Sequence, residues 1–125
     1  MQYCLLMHYQ EGPEAGLSEE DMESGRAAFA RYADELDDAG VLIGTQVLQS
    51  ASATTTYTAR TGSAEIQDGP FADTRERLGG VFVIDVPDLD AALGWAAKCP
   101  AAAWGSIEIR PVAVTYRHGQ GWYTP

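Results

Sequence analysis

The chain has 125 residues, 46% of them hydrophobic and 21% charged, which fits one globular domain with its own core and excludes wholesale disorder. Its 18 acidic against 8 basic side chains leave a net charge of −10 with no basic stripe, so nucleic acid and anionic membranes are disfavoured as partners. The apolar runs are strand-sized and Met1-Gln2-Tyr3-Cys4 lacks the basic region of a signal peptide, so the expected location is cytoplasmic.

Residues 2–9 are nearly all apolar or aromatic and predict a first strand, with Cys4, Leu6 and His8 on one face and Tyr3, Leu5, Met7 and Tyr9 on the other. Cys4 reads as a small core residue, and Cys4 and Cys99 suit neither a metal pattern nor a disulfide. After the break at Glu11-Gly12-Pro13, Ser18 caps a helix whose first turn carries Glu19, Glu20 and Asp21. Met22, Phe29, Ala30, Ala33 and Leu36 follow helical spacing to about Asp38, and Gly40 ends the run. Strands are expected over 41–48 and 53–60, the latter turning at Thr61-Gly62 into a return strand over 64–67. Residues 81–86 predict a central strand. Asp88 caps a second helix, with Leu89, Leu93, Ala96 and Ala97 as its inward stripe, and Pro100 stops it. The last strand covers 106–114, and residues 115–125 form a glycine-containing tail on a single 1–125 domain.

This order is an α+β, ferredoxin-like β-α-β-β-α-β arrangement with an added hairpin: an antiparallel sheet with two helices on one face. The second sheet face keeps apolar residues such as Leu6, so a second copy of the chain is expected to cover it, giving a homodimer of facing sheets.

The stretch Asp68-Gly69-Pro70-Phe71-Ala72-Asp73-Thr74-Arg75-Glu76, followed by Leu78-Gly79-Gly80, resembles the signature of the DGPF-motif family within the wider YCII-related group. The usual form, D-G-P-F-A-E-T-K-E then L-G-G-F, is met with Asp73 for Glu, Arg75 for Lys and Val81 before Phe82. The resemblance extends through Gly40-Val41-Leu42, Thr54-Thr55-Thr56 and Ile107-Glu108-Ile109-Arg110-Pro111. It implies a dimeric ferredoxin-like α+β barrel. Relatives of this kind are commonly uncharacterised, and some are associated with sigma factors. The shorter YCII-related proteins are suspected of acid-base chemistry through a histidine on the first helix. This chain has no histidine between Ser18 and Asp38, so that dyad does not carry over.

The candidate catalytic pair is His8, imidazole being the side-chain type suited to proton transfer at neutral pH, with Asp68 as its acid or base partner. Arg75, Glu76, Trp104, Glu108 and Arg110 are the candidate ligand-binding residues, the two arginines to orient an anion. For His8 the structural alternative is a strand-end histidine hydrogen-bonded to backbone, and the loop and last-strand candidates have theirs. Asp68 caps a turn while Phe71 plugs the core, Arg75 and Glu76 form a surface pair, and Glu108 with Arg110 form a cross-strand or intersubunit ion pair. His118 in the tail suits a solvent or interface position. No dinucleotide or P-loop glycine motif, HExxH, CxxC or nucleophile elbow occurs, so neither a cofactor nor a metal is expected. Two functional readings follow. One is a homodimer binding a small organic molecule between helices and sheet, with cofactor-free proton transfer. The other is a non-enzymatic interaction or regulatory module of the sigma-factor type. A structural dimer with a filled barrel is a third.

Overall fold

A computed structural model describes residues 1–125. In chain order the elements are β1 (Gln2–Tyr9), α1 (Glu19–Asp38), β2 (Leu42–Val47), β3 (Thr55–Thr58), β4 (Glu65–Asp68), β5 (Arg77–Asp85), α2 (Leu89–Lys98), β6 (Gly105–Pro111), β7 (Thr115–Arg117) and β8 (Gly121–Tyr123). The main sheet runs β2-β5-β1-β6, every pairing antiparallel. This is the ferredoxin-like α+β fold, with β3–β4 as the added hairpin.

The alternation along β1 sets the layers. Tyr3, Leu5 and Met7 are buried against the helices with Phe82, Ile84 and Leu36. Burying each of the larger side chains contributes roughly 1.5–3 kcal/mol. Tyr32 of α1 packs edge-on to Phe82, with ring centroids 5.1 Å apart, and its hydroxyl donates to the Trp95 carbonyl at 2.7 Å, joining the helices. Burial pushes that phenol well above its usual range. At the start of α1, Ser18 Oγ accepts from Asp21 N while the Asp21 carboxylate accepts from Ser18 N, a capping box that also holds the Asp21 carboxyl below its usual range. Asp88 caps α2 through Ala91 N, and Gly40 takes the positive φ of 73° that turns the chain out of α1.

Four sequence expectations are corrected. In α2 the buried residues are Ala92 and Ala96, while Leu89 and Leu93 are exposed. Apolar residues run nearly all round this helix, and the alanine face lets it sit close to the sheet where leucines would hold it off. Cys4 lies half-buried on the sheet face away from the helices; Cys99 is the core cysteine, its Sγ 3.8 Å from Met7 Sδ and its thiol pushed up in pKa by burial. Phe71 does not plug the core, being 74% exposed. Residues 115–123 form a second hairpin, in which Tyr116 and Trp122 pack edge to face at 5.4 Å.

The face of the sheet away from the helices carries Cys4, Leu6, Val81 and Val83, all half-buried, flanked by exposed Glu108 and Arg110. No helix of the chain is long and apolar enough to cross a membrane.

Candidate functional site

The chain's chemistry gathers where β1 ends. The β1–β6 register sets Leu6 opposite Glu108 and His8 opposite Ser106, so His8 and Glu108 lie diagonally on the face away from the helices. Gly105 makes this register possible, because a Cβ there would strike the His8 carbonyl. Glu108 Oε1 comes within 2.6 Å of His8 Nε2, yet Nε2 is buried and has no hydrogen-bond partner. The carboxylate therefore lies at ion-pair distance but out of line with the ring N–H. Nδ1 makes no hydrogen bond within the chain.

His8 lines a cleft of about 810 Å³. One wall is the segment 48–54, with Leu48, Ser50 and Thr54; the other is the loop 70–78, with Phe71, Glu76 and Leu78. A charged clasp ties the walls together. Glu11 Oε1 accepts from Ala51 N at 2.6 Å and Oε2 from Ser50 Oγ at 2.9 Å. Arg77 reaches Glu14 at 3.1 Å, Asp73 at 3.2 Å and Glu11 at 3.9 Å, and its Nε donates to the Thr74 carbonyl. The backbone bond from Ala51, with the Ser50 hydroxyl and Arg77 adding to it, outweighs burial and holds the Glu11 carboxyl below its usual range.

A second cleft of about 720 Å³ lies across the sheet, on the helix side, lined by Tyr9, Leu17, Met22, Phe29, Val47 and Trp104. Trp104 meets Phe29 edge-on at 5.5 Å and Tyr9 at 6.5 Å. Burial, with Cys99 and Glu11 adding to it, raises the Tyr9 phenol pKa. Neighbouring residues of β1 and of the β2 end thus divide between the clefts, His8 and Leu48 in one, Tyr9 and Val47 in the other. A Cβ at Gly79 would strike the outer end of the Tyr9 ring, which would have to move aside.

The residues singled out from the sequence are distributed unevenly. His8 and Glu76 line the larger cleft and Glu108 contacts His8. Asp68 ends β4 at the open end of the β3–β4 hairpin, opposite Thr55, and is exposed; its side chain makes no hydrogen bond and lines no part of the His8 cleft. The turn beside it is held instead by Thr56 Oγ1 donating to the Gly69 carbonyl and by Gly69 N donating to the Thr54 carbonyl. Arg75 is exposed and lines neither cleft. Arg110 sits opposite Cys4 and forms no ion pair, because its expected partner Glu108 turns to His8. Trp104 belongs to the other cleft. His118 is exposed in the β7–β8 turn. Glu11 and Arg77 escape a reading by spacing, since Glu11's partners Ser50 and Ala51 are 39 and 40 residues away and Arg77 stands one residue past the motif.

The sequence model of the YCII-related domain matches residues 1–115. An uncharacterised protein of Rhizobium meliloti (strain 1021) is 32% identical over 122 residues, spanning 96% of this chain and 98% of that protein. With the fold and this nearly full-length match, the chain belongs to the YCII-related domain family.

Proposed function

We propose that the chain works as a homodimer that binds a small organic molecule in the His8 cleft and carries out cofactor-free proton transfer on it. The observation that carries this is His8: a ring with Nε2 buried against a carboxylate and Nδ1 without a partner, at the edge of a cleft walled by two loops. With Nε2 closed off against a carboxylate, Nδ1 is the ring nitrogen left open to a ligand and is the proton-transfer atom. Glu108 is then a positioning residue and takes the place that the sequence suggested for Asp68. The dimer would cover the apolar strip of Cys4, Leu6, Val81 and Val83 on the sheet face away from the helices.

Ligand-observed NMR with a fragment library, followed by mapping onto amide shifts, tests the site. Binding that perturbs His8 and residues 48–54, and that is lost in His8→Gln with the fold retained, supports the reading. Binding confined to the Trp104 cleft, or unaffected by His8→Gln, overturns it. For the assembly, sedimentation should give a dimer that Leu6→Glu converts to monomer; a monomeric wild type removes that half of the proposal.

A further inference from the structure

Building on the His8 cleft as the binding site, we infer that its ligand is an apolar organic cation, of the amine or ammonium class, rather than the anion that the sequence suggested. The two arginines expected to hold an anion, Arg75 and Arg110, do not line the cleft. The arginine that does, Arg77, is already matched to three carboxylates, Glu11, Glu14 and Asp73. Its guanidinium therefore presents no unspent positive charge to a ligand. The lining adds Glu76 in one wall, and Glu108, itself outside the lining, stands beside His8.

Counting formal charges with His8 neutral, five carboxylates (Glu11, Glu14, Asp73, Glu76 and Glu108) stand in or beside the cleft against two guanidinia, Arg77 and the Arg60 that reaches Phe71. An entering carboxylate or phosphate would lose hydration and meet a net negative field without a free donor fork in the lining, whereas an ammonium would be drawn in. The rest of the lining suits the apolar body of such a ligand, through Leu48, Ala53, Pro70, Phe71 and Leu78. Phe71 is 74% exposed, with Arg60 placed 5.6 Å from its ring centroid, so this ring already accepts a cation. A second copy of a chain whose net charge is −10 would strengthen the field.

The test compares benzylamine, benzyl alcohol and benzoate, three probes of one shape and different charge, by titration into the wild-type protein while amide shifts of the cleft are followed. Benzylamine, protonated at pH 7, should bind at least about tenfold more tightly than benzoate, and the preference should shrink as salt rises from low to physiological concentration. The Glu76→Gln, Glu108→Gln double variant should lose most of the preference while keeping benzyl alcohol binding, which controls for the fold. Benzoate binding in the cleft as well as or better than benzylamine would overturn the charge inference and leave the site intact. No shift in the cleft with any probe would overturn the site itself, and the inference with it.

Discussion

Glu11→Gln tests whether one carboxylate really fastens the cleft. Glu11 is 23% exposed and accepts two hydrogen bonds, from Ala51 N at 2.6 Å and Ser50 Oγ at 2.9 Å, while its pairing with Arg77 at 3.9 Å is loose. Glutamine keeps one oxygen, so it retains one bond in neutral form and loses the charge assistance of both. Charge-assisted bonds are worth about 1.5–3 kcal/mol when well buried, and partial exposure reduces that, so the variant should lose about 2 kcal/mol. For a domain of 125 residues this lowers Tm by about 8 °C at pH 7, read by calorimetry. The pH dependence supplies a second check. Folding depresses the Glu11 pKa below its ordinary 4.5, so its contribution is complete above that value and is lost as pH falls through the lower folded-state value. The gap between wild type and variant should therefore be widest near neutrality and close in acid. A Tm within about 2 °C of wild type at pH 7, or a gap of equal size at pH 3 and pH 7, would refute the clasp.

Phe71→Ala should leave Tm within about 2 °C, because little of the ring is buried, and weaken binding of an aromatic probe in the cleft; a large loss of stability would return Phe71 to the core. Gly80→Ala places a Cβ 2.6 Å from the Gln46 carbonyl oxygen, a backbone atom that cannot swing aside, and should cost about 2–4 kcal/mol in denaturant unfolding. Leu36→Ala, at a position with no exposure, should cost about 2–5 kcal/mol and leave fragment contacts at His8 unchanged.

The fold was legible where local chemistry decides it. Ser18, Asp88 and Gly40 act through neighbours within a few residues, and the alternation of β1 separates Leu5 from Leu6 whatever the partner strands are. In α2 periodicity counts a leucine above an alanine, while packing distance against a sheet rewards the smaller side chain. The second hairpin was missed because glycines at 119 and 121, which take positive φ there, also describe a loose tail. The candidate site was half legible. His8 and Glu108 could each be assigned to the outer face, but their meeting depends on a register that Gly105 permits through a close backbone approach, and alternation carries no register. Asp68 and Arg75 drew notice as part of a compact motif, yet the side chains that anchor this loop are Asp73, Thr74 and Arg77.

Small-molecule binding in the His8 cleft can be read directly. The most direct measurement is native mass spectrometry of the purified protein beside Ala53→Trp, a change at an exposed cleft-lining position that fills the space without touching the core. Wild type should retain a small-molecule adduct or gain one on adding a cleft-binding fragment, and Ala53→Trp, still folded, should do neither. Equal binding by both proteins would contradict binding in the His8 cleft.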